Sequence, residues 1–581
     1  MKQLFTAALF IAMMLILVAP SQSRAAAGDT LLVYATPITV TLDSVIAQDQ
    51  RLATPHPVYK LVSTDTPYVF NKTIVINNSV TIIGQLGTQN RPPCIQPNVI
   101  TGAVTVPGHL FTFTKGRSVV NIKNLYLLGL SVNNTINSGD GFGITVTGDS
   151  IKCHIDNVVF EQWSQFGINY SGNWDSFWVT NCKFRNFVNP GSCYTGEAIR
   201  FRNDLGHFPT DTMLVKYNTF FCLNGYVCAA GITSYMRYFD FEHNTVAGVF
   251  KNPFFNMNAT NWTCSHNIFY AAYAGGMSNG EYPWWDRIWA PGVGAVIDLD
   301  TLSKAIAGSV VDTTQANWIA LGEAARNIQV KDNVYYMPAS ITSAIDTWNA
   351  DTIHNHNWIY KCGWTNPYTD TMVAHNSHFS LTGNQNVDLG FGAGVTTMIA
   401  ASGTPPAADG IGFIPWLKEF RGADVATHLW GYQQAIPDFS SGNWKPTWPL
   451  PEQTANDLKY SSTALATDGM RYGDPFWFTG TRTGVVKGSD LTPTTFSLSE
   501  AYPNPFNPAT HIQYTLNKAG VTSLTVYNIL GQTVATLVDN VNQNAGTYNV
   551  TVDMSHATSG VYFYLLEQGG NRLAHKMLLL K

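Results

Sequence analysis

Arg200 and Arg202 stand two residues apart in GEAIRFRND (196–204), where they alternate with Ile199 and Phe201. On a strand such alternation puts the apolar pair on one face and both guanidinium groups on the other. A pair of that kind neutralises a uronate carboxylate and, with a base at hand, permits β-elimination. Glu197, Asp204 and His207 complete the local set, which equally describes a solvated face with local ion pairs. Trp284, Trp285 and Trp289 crowd into YPWWDRIWAPG, which reads as an inserted loop. Exposed, those rings would stack on sugar faces; buried, they would pin the loop to the body of the protein. Asp298 and Asp300 in DLD share a strand face and form the one calcium candidate, so the expectation is no cofactor unless calcium sits there. His354, His356, His375 and His378 have spacings compatible with a metal, but surface histidines look the same, and no CxxC supports a zinc site.

A chain of 581 residues exceeds what one compact core accommodates, so at least two folding units are expected. Charged residues are only 12% while aromatics reach 13%, the balance of a β-rich extracellular protein. A net charge of −5 leaves no basic stripe for a phosphate backbone, which excludes nucleic acid as the expected partner. The chain opens with Lys2, an apolar run from Leu4 to Val18 and the small residues Ala25, Ala26 and Ala27. That is the pattern of a cleaved export signal over 1–27, with an uncleaved anchor as its alternative, and no later stretch is apolar enough to span a bilayer. All 8 cysteines precede the C-terminal domain. Either disulfides, with Cys182–Cys193 and Cys222–Cys228 as the nearest pairs, or buried free thiols would suit an exported β protein.

A loose unit recurs from about Thr73 to Asn386: alternating apolar residues, an Asn, then another apolar residue two positions on. It is read at Asn124, Asn157, Asn218, Asn244, Asn267 and Asn333, with a variant at Asn181. One such unit cannot bury its apolar residues alone, whereas stacked units pair their strands about 4.8 Å apart and enclose a common core. A recurrent Asn adopts a left-handed turn at low cost, and its amide can bond the equivalent Asn in the next layer. In this pattern the chain resembles the right-handed parallel β-helix proteins of the pectate-lyase type. An antiparallel sandwich or propeller is the competing architecture. The hydrolases of that fold carry clustered aspartates and a Gly-His-Gly turn, but here Gly206 and His207 are followed by Phe208, so two-carboxylate hydrolysis lacks its residues.

The end of the chain carries YPNPFNPAT (502–510), VYNILGQTVATL (526–537), AGTYNV (545–550), SGVYFYLL (559–566) and KMLLLK (576–581). These stretches closely resemble, in order, the C-terminal type A sorting domain of type IX secretion cargo from Bacteroidetes and related phyla. Asn504, Pro505, Gly531, Gly546, Gly560 and Lys576 are the motif positions that match. Alternation at Leu524 and Val526, at Tyr548, Val550 and Val552, and at Val561, Phe563 and Leu565 predicts strands with those residues on the core face. The expected fold is therefore all-β: an export signal at 1–27, a parallel β-helix over 28–400, a Pro- and Trp-rich tail or cap over 401–484, a linker at 485–496 and a small immunoglobulin-like sandwich over 497–581. The resemblance implies a secreted or outer-membrane-surface protein of a Gram-negative bacterium, with the type IX machinery as partner. For the middle, two readings stand: a non-catalytic binder of polysaccharide or envelope glycan with an adhesive role, and a lyase acting on a uronate polysaccharide through Arg200, Arg202 and His207.

Overall fold

The computed structural model describes residues 30–391 apart from loops, the longest being 202–209, 279–293, 300–325 and 351–358, together with parts of 450–477 and most of 497–580. Two compact units divide the chain, Met1–Gly480 and Thr481–Lys581. The expected export signal lies outside the described residues. No helix among those described is long and apolar enough to cross a membrane.

The first unit is built from three ladders of parallel strands. The first ladder contains Ser176–Thr180, Thr210–Lys216, Met236–Glu242, Ala259–Ser265 and Asn327–Lys331. The second contains Lys183–Phe187, Thr219–Leu223, Thr245–Val249, Ile268–Ala272 and Val334–Tyr336. The third contains Phe142–Val146, Phe166–Tyr170, Glu197–Phe201 and Cys228–Ala230. The chain visits the ladders in turn and returns to the first one strand further along, so successive circuits pair only with their neighbours. Val119–Leu128 and Lys152–Glu161 run without a break from the first ladder into the second, bending at Asn124 (φ 56°) and Asn157 (φ 51°).

In-register pairing lines up like side chains. Val179, Val215, Phe241, Cys264 and Val330 follow one another up the first ladder, all buried in a single cluster. Phe160, Phe184 and Phe220 stack at ring-centroid distances of 4.6 and 5.0 Å. Each such side chain contributes about 1.5–3 kcal/mol once removed from water. The helix Leu42–Asp49 inserts Leu42 and Ile46 into the same cluster near the first circuits, covering an interior that water would otherwise reach. Cys153, Cys182, Cys228 and Cys264 are buried thiols of this core, and burial pushes Cys182 up to about 12, so these are packing residues and not nucleophiles. Cys193 lies outside the described residues.

The asparagine pattern resolves into two roles. In the early circuits Asn124, Asn157 and Asn181 occupy the left-handed turn position themselves. Later that position passes to Tyr217, His243, His266 and Asp332, with φ between 52 and 60°, and the asparagine follows it. Asn218, Asn244, Asn267 and Asn333 are all wholly buried. Their Nδ2 groups donate to the next Oδ1 at 3.0, 3.1, 2.9 and, for Asn333 to Asn384, 2.8 Å. Each Nδ2 also donates to a carbonyl of the preceding circuit, as Asn244 does to Val215 at 2.8 Å. One asparagine was expected to serve as turn and ladder at once, and at the surface Asn157 does so, donating to Asn124 at 2.9 Å; in the buried row the turn and the inward amide fall on adjacent positions, because an amide aimed into the core cannot also be the turn residue's outward side chain.

In the second unit, Ser497–Leu498, Ala509–Leu516 and Gly546–Asp553 form one antiparallel sheet, and Thr533–Gln543, Gly520–Asn528, Gly560–Gln568 and Asn571–Leu579 form another. Both contribute to one core, with Ile512, Tyr514, Leu524, Val526 and Tyr564 wholly or almost wholly buried. Gly560–Gln568 turns the opposite face to the core from the one its alternation predicted. Tyr562, Tyr564 and Leu566 point inward, while Val561 and Phe563 are 40% and 43% exposed. In VYFYLL both alternating sets are apolar or aromatic, so periodicity cannot choose the phase; pairing Thr525 with Leu565 and Val526 with Tyr564 does.

Candidate functional site

Of the residues singled out for lyase chemistry, Arg200 is described and is engaged. Its Nη1 lies 3.0 and 3.2 Å from the two oxygens of buried Glu197, and the guanidinium sits 5.8 Å from the Phe166 ring centroid. Its charge is matched within its own strand. Ile199 and Phe201 face inward beside it, as the alternation required. Arg202, His207, Trp284, Trp285 and Trp289 lie outside the described residues. The Asp298 carboxylate accepts from Asn366 Nδ2 at 2.7 Å, and Asp300, its calcium partner in the sequence, is outside the described residues. His375 bonds the Thr371 carbonyl of its own helix at 2.8 Å and His354 and His356 are not described, so no histidine cluster forms around it among the described residues.

A different constellation forms on the turn between the first and second ladders. The rings of Tyr217 and His243 stack at 5.3 Å and those of His243 and His266 at 4.7 Å, because the left-handed turn positions of three successive circuits fall in register. Asp332 takes the same position one circuit on. Parts of 450–477 lie against this column. His266 Nε2 meets Asp468 Oδ2 at 2.6 Å, the Gly473 amide donates to the His266 carbonyl at 2.6 Å, and His243 bonds the Arg471 backbone. One ligand atom from each of His266, Asp332 and Asp468 lies within 4.8 Å of the others. Burial, and then the neighbouring His266, hold His243 down to about 4, so it is neutral at pH 7. Burial pushes Glu242 up, but the Lys216 ammonium at 2.6 Å outweighs it and leaves the carboxyl below its ordinary range. None of this was flagged in the sequence, since the contributing residues are far apart; aligning the residue before each repeated Asn is the signal that exposes the column.

The outer faces of the ladders differ. Lys183–Phe187, Thr219–Leu223, Thr245–Val249 and Ile268–Ala272 are buried on both faces. Their outward Phe221, Ala247 and Tyr270 lie beneath Ile341, Ile345, Leu458, Tyr460, Tyr472 and Trp477. First-ladder strands alternate instead, buried within and accessible without. On that open side His154 and Trp178 stack at 4.2 Å and 7°, and Tyr238, 44% exposed, has Arg237 at 5.6 Å from its ring. Asn121, Asp240, Thr263 and Gln329 continue the outward rows with polar groups.

In the second unit Gly531 adopts φ +77° in the hairpin that joins Gly520–Asn528 to Thr533–Gln543, a conformation glycine takes without strain. Asn528 Oδ1 accepts the Leu530 and Gln532 amides at 3.0 Å, and Ile529 and Leu530 at the tip are 72% and 76% exposed. Gly560 and Gly546 open their strands and Lys576 is exposed beside Phe563, whereas Asn504 and Pro505 lie outside the described residues. No curated protein and no solved structure matches the chain. Residues 500–580 match the family model described as a secretion system C-terminal sorting domain. A tail of this kind is what the type IX machinery reads, and it marks the protein as secretion cargo, released from or displayed on the surface of Bacteroidetes-type bacteria.

Proposed function

We propose that the first unit is a right-handed parallel β-helix that binds glycan at or outside the cell surface, delivered there by its immunoglobulin-like sorting domain. What carries the reading is the contrast between flanks: the second ladder is covered by chain, while the first leaves the His154–Trp178 stack and Tyr238 in contact with water. Register places Tyr238 two circuits on from Trp178 and two residues along the strand, about 12 Å away, a separation that spans about two sugar rings. Flat rings with polar neighbours suit sugar faces, whose C–H edges stack on aromatics while hydroxyls take hydrogen bonds. The lyase reading remains the alternative. It has less support, because Arg200 already neutralises Glu197.

Two measurements test this. The full chain is run through affinity electrophoresis in gels of neutral and uronate polysaccharides beside Trp178→Ala and Tyr238→Ala. Retardation by at least one polymer, weakened about tenfold in each variant, is expected at about 1.4 kcal/mol per lost ring contact. No retardation by any polymer, or equal retardation of the variants, overturns the binding reading, and unsaturated products from a uronate polymer establish the lyase instead. For delivery, removing 500–580 is expected to leave the protein inside the cell in a strain with an intact type IX machinery.

A further inference from the structure

We propose that His266, Asp332 and Asp468 bind one divalent transition-metal cation of the zinc class, fastening the segment around Asp468 to the ladders. His266 and Asp332 hold equivalent left-handed turn positions on successive circuits, at φ 58 and 52°, so ladder register fixes their separation. Asp468 arrives from 202 residues beyond His266 and completes a set whose donor atoms lie within 4.8 Å of one another. One neutral imidazole and two carboxylates carry two negative charges, which a divalent ion cancels. A mixed nitrogen and oxygen set of three with water in the remaining position suits zinc, whereas calcium prefers oxygen alone.

The surroundings orient these groups as ligands. Ser265 Oγ lies 3.0 Å from His266 Nδ1 and donates to Glu242 Oε1 at 3.3 Å, a relay that leaves Nε2 directed at Asp468. Outer partners of this kind fix the tautomer and ring plane of metal-bound histidines. Asp468 Oδ1 accepts the Met470 amide at 3.0 Å, which leaves Oδ2 for the shared position. In the next circuit the turn residue is Gly383, where a Cβ would sit 2.1 Å from Asp332 Oδ1; its absence makes room for the carboxylate. His266 is almost fully buried and the Asp468 side chain is 33% exposed, so an ion reaches the set from the Asp468 side. Lys331 also faces Asp468 and opposes a cation, so the set must outweigh one positive neighbour.

The test uses the tag-free full chain, stripped with EDTA and dialysed against zinc chloride, with zinc counted by mass spectrometry and affinity by calorimetry. One zinc per chain is expected, with affinity at least tenfold weaker in Asp468→Asn and Asp332→Asn. Asp468→Asn changes a partly exposed group, so its metal-free melting curve, expected to match the wild type, separates lost ligation from misfolding. Zinc is also expected to slow proteolysis within 450–477 in the wild type and not in Asp468→Asn. Uptake well below one equivalent, equal uptake by the variants, or preference for calcium over zinc overturns the proposal.

Discussion

Lys183 Nζ lies 2.6 Å from Asp474 Oδ2, an ion pair between residues 291 positions apart, with both groups almost fully buried. The same oxygen accepts from Thr219 Oγ1 at 2.7 Å, Oδ1 accepts the Phe476 amide, and Trp477 Nε1 donates to Thr219 at 2.6 Å. The end of the first unit is thereby keyed to two adjacent circuits of the second ladder. Asp474→Ala strands the Lys183 ammonium out of water, at a cost of about 3–5 kcal/mol. Chemical denaturation is expected to show that loss, and limited proteolysis to cut first within 450–477. A cost below about 1 kcal/mol would mean the pair does not hold the segment.

Asn244 and Asn157 belong to the same sequence pattern but not to the same environment. Asn244 Oδ1 accepts both the backbone amide and the side chain of Asn218, at 3.0 Å each, in a wholly buried row. Asn157 donates to Asn124 at an exposed turn. Asn244→Ala is expected to cost about 2–4 kcal/mol, since it orphans a buried amide as well as opening a gap. Asn157→Gly, which keeps the left-handed turn, is expected to cost under about 1 kcal/mol. Equal losses in urea melts would remove the distinction.

Asp175 gives the fold a pH dependence of known sign. Burial pushes its carboxyl up to about 8, against a bond from the Ile151 amide at 2.7 Å and with the Asp149 charge adding to the rise. Between the ordinary value of 3.8 and about 8 the folded state holds a proton that the unfolded chain releases. Stability from this group is therefore complete at acid pH and lost as pH rises through that window. Asp175→Asn keeps the acceptor for Ile151 and cannot ionise. Its melting temperature is expected to gain on the wild type from pH 5 to pH 8, the gap widening by up to about 1.4 kcal/mol per pH unit. A constant gap would show that Asp175 is already charged when folded.

In the sorting domain the core phase of Gly560–Gln568 separates two kinds of substitution. Tyr564 is wholly buried and Phe563 is 43% exposed. Tyr564→Ala is expected to cost about 3–5 kcal/mol and Phe563→Thr under about 1 kcal/mol. Unfolding of the second unit, followed in the full chain by hydrogen exchange of its strands, distinguishes them; the reverse order would restore the sequence-based phase.

Composition, alternation and ordered motifs were sufficient for a mostly β protein with parallel strands and a separate antiparallel sorting tail, because repeated apolar spacing and turn residues are local properties. The inward placement of Ile199 and Phe201 was legible for the same reason. Periodicity did not settle Gly560–Gln568, where both faces are greasy, nor the division of labour between His243 or His266 and the asparagine after each, because a turn residue's neighbours in space are set by ladder register. Nor does any local pattern join Asp468 to His266 or Asp474 to Lys183. Those pairings arise only when the distant segment returns to cover the apolar flank of the second ladder, and burying that flank is what brings the charged partners within reach.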